Sequence, residues 1–91
     1  MKYEWHAGKA AANLAKHGAA FDLVEAFDWE TALIIADMRR EYGETRFTAL
    51  GLIGKRLHTL TYTQRGAHIR VISLRKCNVR ERKAYEESQT A

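Results

Sequence analysis

The chain contains no proline and only one cysteine. Without proline, its turns must rest on glycine and polar residues. A lone cysteine, Cys77, excludes an intrachain disulfide and argues for a reducing compartment. No apolar run approaches membrane-spanning length and no charged-then-apolar leader opens the sequence, so a cytoplasmic protein without a membrane partner is expected. His6, His17, His58 and His68 are scattered, and no pair has ligand spacing, so no metal and no other cofactor is expected. Neither a serine or cysteine triad motif nor a phosphate-cradling glycine loop is present.

What is present is ordinary for a folded domain. The 91 residues are 46% hydrophobic and 29% charged, which fits one domain over 1–91 with a single modest core. The net charge of +4 suits an acidic partner such as nucleic acid, but charge alone fits a solvated basic surface equally well.

Three consecutive segments, 46–53, 56–65 and 67–76, are rich in β-branched and aromatic residues and read as strands. Gly54-Lys55 and Arg65-Gly66-Ala67 are short enough for hairpin turns, which predicts an antiparallel meander. Pairing Ile53 with Arg56 sets Arg46 opposite Thr63, and pairing Arg65 with His68 sets Thr63 opposite Arg70. Strict alternation then gives a core-like face of Phe47, Ala49, Gly51, Ile53, His58, Leu60, Tyr62, Ile69, Val71, Ser73 and Arg75. The opposite face carries the arginines at positions 46, 65 and 70 with threonines 48, 59, 61 and 63. Leu50, Leu52, Leu57, Ile72, Leu74 and Lys76 share it.

Around this meander the sequence predicts an α+β domain: two N-terminal helices, a four-stranded antiparallel sheet and a C-terminal helix. Residues 2–6 form an aromatic opening that packs Trp5. Lys9 to His17 is the first helix, with Gly18 as its stop. Phe21 to Phe27 is a second short helix with Asp22 as a candidate cap. Residues 31–37 give the first strand, and 38–44 a charged loop. Asn78 followed three residues later by Glu81 is a capping-box start for the last helix, with the tail from Ser88 frayed.

The basic residues carry the chemistry. Arg46, Arg65 and Arg70 gather near one end of a threonine-lined face, with Lys76 further along. Guanidinium forks bind phosphate bidentately and keep their charge. The competing expectation is that these arginines pair with carboxylates around Asp37, Glu41 and Glu44.

In sequence order, EW, KAAANLAKHG with a following Phe, GETRF, YTQR, and RVISLRK with RERKAYEE resemble the BrnT family of bacterial type II toxins, over Glu4 to Glu87. Two departures are visible: His6 stands where an acidic residue is usual, and LRKC replaces a smaller strand end. The resemblance implies a RelE-like endoribonuclease that cleaves RNA without metal. It further implies a ribbon-helix-helix, BrnA-like antitoxin and a complex that binds operator DNA. Metal-free cleavage requires in-line attack by a ribose 2′-OH, with cations stabilising the charge on phosphate. Arg46, Arg65 and Arg70 are the expected phosphate ligands, and Arg75 and Lys76 follow. These two fall on opposite faces unless the strand bends. Tyr62 and His58 are candidates for proton transfer, although both project onto the apolar face. The alternative is a non-catalytic module that binds protein or nucleic acid.

Overall fold

The computed structural model describes residues 2–37 and 43–90. In chain order the elements are β1 (Lys2–Glu4), α1 (Ala7–His17), a 3-10 helix (Phe21–Ala26), β2 (Leu33–Asp37), β3 (Arg46–Ile53), β4 (Arg56–Arg65), β5 (His68–Lys76) and α2 (Val79–Gln89). The expected meander forms as β3, β4 and β5, with both anticipated hairpin registers. Gly54 and Gly66 open the two turns at φ 62° and 60°, where a side chain would be strained.

The α+β class holds, but the expected layout needs correction. The sheet has five strands in the order β1-β5-β4-β3-β2, and β1 runs parallel to β5, so the sheet is mixed. Three residues are too few to show a period in sequence; Lys2 to Glu4 become a strand by completing the outer edge of β5. The second helix is 3-10 rather than α, and Asp22 does not cap it: its N-cap is Ala20, without a side-chain bond. The first helix begins two residues earlier than expected, because His6 Nδ1 accepts from the backbone N–H groups of Gly8 and Lys9 at 3.1 and 3.3 Å. His6 thus acts as the helix cap. Gly18 ends α1 in the left-handed conformation, as expected. The last helix carries the expected capping box but runs through Gln89, whose side chain donates to the Thr31 carbonyl at 3.0 Å. Most of the expected 38–44 loop, including Glu41, lies outside the described residues.

The largest correction is a bulge. Thr61 pairs with Ser73 and Tyr62 with Val71, leaving Ile72 as an extra residue in β5. Beyond it every β5 side chain changes face. Leu74 therefore enters the core at 0% exposure, and Ser73 and Arg75 join the threonine face. Lys76 pairs with His58 and so lies in the row of the opposite, apolar face.

That apolar face is covered by α1 and the 3-10 helix. Phe21, Val24 and Phe27 meet Ala49, Leu60, Tyr62, Ile69, Val71 and Leu74 in one buried cluster. Phe27 lies directly on Gly51: a Cβ there would stand 2.5 Å from the ring. Asn13 of α1 closes the sheet edge that β1 is too short to reach. Its amide donates to the Leu74 carbonyl at 2.7 Å and to Ala19 at 3.0 Å, while its oxygen accepts from the Leu74 N–H at 3.2 Å. Buried backbone groups need such partners.

Candidate functional site: an arginine–threonine sheet face

On the second face the strands set their side chains in transverse rows. Glu4, Arg70, Thr63, Arg46 and Asp37 form one row across all five strands. Ser73, Thr61, Thr48 and Ile35 form the next. Arg75, Thr59, Leu50 and Leu33 follow. Thr63 is almost fully buried between Arg46 and Arg70, and its hydroxyl donates to the Thr45 carbonyl at 2.8 Å. Adjacent strands lie about 4.8 Å apart, so the backbones of Arg46 and Arg70 are separated by only about 10 Å.

The structure brings Arg46, Arg65, Arg70 and Arg75 to this face and leaves three other candidates, Tyr62, Lys76 and His58, off it. Tyr62 sits in the core, 5% exposed, with Trp29 edge-on at 5.2 Å and Phe47 stacked at 5.5 Å. Burial pushes its phenol pKa up. Lys76 is exposed, but the bulge turns it away from the threonines. His58 is also buried, with Nδ1 2.9 Å from the Arg56 carbonyl. Its position and that of Tyr62 match the apolar side read from sequence.

Carboxylates accompany the cations, as the competing sequence reading anticipated in part. Arg65 approaches Glu44 at 3.4 Å, an exposed pair of little energetic consequence. Glu4 accepts from Arg70 at 2.9 Å and lies 3.5 Å from His68 Nδ1. Neither Glu4 nor Glu81 appeared among the candidates from sequence. Arg75 makes a bidentate pair: Nη1 donates to Glu81 Oε1 at 2.7 Å and Nη2 to Oε2 at 2.8 Å. This bidentate bond raises the Arg75 pKa and lowers that of Glu81. Glu81 was legible only as a helix cap, because it stands six positions and a strand end away from its arginine.

α2 lies over the leucine end of this face. It buries none of its own residues, and it is tied down by Glu81 and by Tyr85 and Gln89 at Thr31. Cys77, at the junction of β5 and α2, lies 3.0 Å from the Thr59 hydroxyl, and burial raises its thiol pKa. The open part of the face, beside Thr48, Thr61, Arg75 and Glu81, is a depression of about 330 Å³. It sets one cation, Arg75, among threonine hydroxyls, with Asp37 and Glu81 at its border. The row of Arg46 and Arg70 adds further cations on the same face, and cations with hydroxyl donors suit a phosphodiester backbone.

Among the described residues no three His, Cys, Asp or Glu side chains gather as a metal site, and no helix is long and apolar enough to cross a membrane. Comparison with curated proteins finds no match. The model of one family, described as the ribonuclease toxin BrnT of type II toxin–antitoxin systems, matches residues 5–81, a span that holds all four arginines of this face. The chain belongs to the BrnT family of ribonuclease toxins.

Proposed function

We propose that the protein is a metal-independent endoribonuclease that binds RNA across the arginine–threonine face. It cleaves by attack of a ribose 2′-OH on the adjacent phosphorus. The P–O5′ bond breaks, giving a 2′,3′-cyclic phosphate and a 5′-hydroxyl. The observation that carries this reading is that Arg46 and Arg70 flank Thr63 on the same sheet face whose threonine-lined depression Arg75 borders, in a family of ribonuclease toxins. Arg70 and Arg75 pair with positions four residues apart on β4, about 13 Å along the strand, and therefore hold different phosphates. Arg46 and Arg65 extend the contact toward the β4–β5 turn. The arginine at the scissile phosphate stabilises the charge of the phosphorane-like transition state and the others hold the strand in register, so rate enhancement rests on electrostatics and positioning.

Neutralisation in this reading comes from a ribbon-helix-helix antitoxin whose acidic side chains cover the same arginines, and the complex binds operator DNA. The site of action is the cytoplasm, where its substrate is made. Charge complementarity supports the covered face: Glu4, Glu44 and Glu81 already occupy arginine donors, and a partner's carboxylates would compete there in the same way.

A second reading, a non-catalytic docking module, is favoured by one feature: a groove of about 550 Å³ between α2 and the β3–β4 turn. Leu52, Leu57 and the 73%-exposed Val79 line it beside Lys55, Arg56 and Arg82. Turnover separates the two readings. Purified protein is expected to cut RNA in EDTA, to leave cyclic phosphate ends and to spare DNA. Intact RNA, both free and in a translating extract, would leave the docking module.

A further inference from the structure

We infer that Glu81 is a positioning residue for Arg75, fixing the guanidinium so that its remaining donor edge meets the reacting phosphate. The inference rests on the reading of this face as the RNA site and assigns a role to a residue outside the basic cluster.

Arginine offers five N–H donors in a planar fork. In Arg75, Nη1 and Nη2 each give one to Glu81, and Nη1 also leans toward the Lys76 carbonyl at 3.4 Å. The edge that remains is Nε–H with the outer hydrogen of Nη2. Its parallel donors match two oxygens of a phosphate. Arg75 and Glu81 together line the depression that Thr48 and Thr61 also line.

Glu81 is itself held. Its backbone N–H donates to Asn78 Oδ1 at 2.8 Å, and its Oε1 accepts from the Asn78 N–H at 2.9 Å. The start of α2 therefore fixes the carboxylate, and the carboxylate fixes the arginine. Both carboxylate oxygens are occupied and the group is held in its charged form, which makes it a poor acceptor for the 2′-OH proton. Orientation is the role that remains. An untethered arginine would have to be ordered during the reaction, which would raise the barrier.

The bulge in β5 makes this pairing possible. Without it, Arg75 would point into the core-side row, and Glu81 would have no arginine on this face to hold.

The test is a double-mutant cycle on the purified full chain, read as the cleavage rate at saturating RNA, in buffer and in a translating extract. Arg75→Ala is expected to slow cleavage on the order of 10²-fold. Glu81→Gln keeps an oxygen for the Asn78 N–H and loses the charged clamp; about a tenfold loss is expected, in rate rather than in half-saturating RNA. In the Arg75→Ala background Glu81→Gln should cost nothing further. Circular dichroism follows α2 in each variant, and Glu81→Asp, which can still cap but is too short for the arginine, repeats the comparison if Gln loosens the helix. A wild-type rate in Glu81→Gln overturns the inference, as does an equal loss in both backgrounds, which marks a purely structural tie. In both cases the ribonuclease reading stands. A wild-type protein that cuts no RNA overturns both.

Discussion

Alternate residues of the same three strands build two very different surfaces. On one face Ala49, Leu60 and Leu74 are fully buried beneath α1 and the 3-10 helix, and the aromatic rings of Trp29, Phe47 and Tyr62 close the layer. On the other, arginines and threonines stand in rows, and α2 lies over one end without burying any of its own residues. The first face obtains stability from area removed from water. The second keeps charged groups in pairs at moderate exposure, an arrangement that contributes little to folding and leaves the cations available for exchange. Tyr62 and Arg70, on neighbouring positions of adjoining strands, thus stand in opposite surroundings, the one among aromatic rings and the other paired with Glu4.

Substitutions should therefore separate the faces cleanly. The largest effect belongs to the packed side: Leu60→Ala should lose about 2–5 kcal/mol in denaturant unfolding, because the cavity lies in the centre of the core. Next comes Arg70→Ala, which should slow RNA cleavage on the order of 10²-fold while costing within about 1 kcal/mol of folding. Arg70→Lys sharpens the same point, since it keeps charge but loses the fork. A fully active Arg70→Ala would end the division of labour. Asn13→Ala should cost about 1–3 kcal/mol, since it leaves the buried Leu74 backbone groups without their partner, and leave the cleavage rate of the folded protein unchanged.

The smallest expected effect is a pH dependence. The folded-state pKa of Glu81 lies below its ordinary 4.5, so its contribution to stability is present above that value and lost as pH falls through the folded pKa. Acid melting curves of wild type and Glu81→Gln should therefore converge as pH drops below about 4.5. A constant difference down to pH 2 would mean the clamp is not ionic.

Much of this division was legible from residues. The hairpin glycines and β-branched runs predicted the meander and placed Arg46, Thr63 and Arg70 in one row, because a period of two leaves little freedom once a turn is set. What escaped was the phase of β5. Its apolar positions are 69 and 71, then 72 and 74: adjacent Val71 and Ile72 break the alternation, and that break is the signature of the bulge. Read without it, Arg75 and Ser73 fall into the core and Leu74 and Lys76 onto the threonine face. β1 escaped for a different reason, since its three residues owe their conformation to a partner 66 positions away. Glu81 was recognised by its local bond to Asn78 and missed in its long-range bond to Arg75, because a cap is written in neighbouring residues and an ion pair across elements is not.

The bulge at Ile72 delivers Arg75, and not Lys76, to the face proposed to cleave RNA. The direct measurement is the cleavage rate of Arg75→Ala beside Lys76→Ala, each normalised to folded protein. A loss on the order of 10²-fold for Arg75, with Lys76 within a few-fold of wild type, is predicted. Equal losses, or a greater loss at Lys76, would contradict the account.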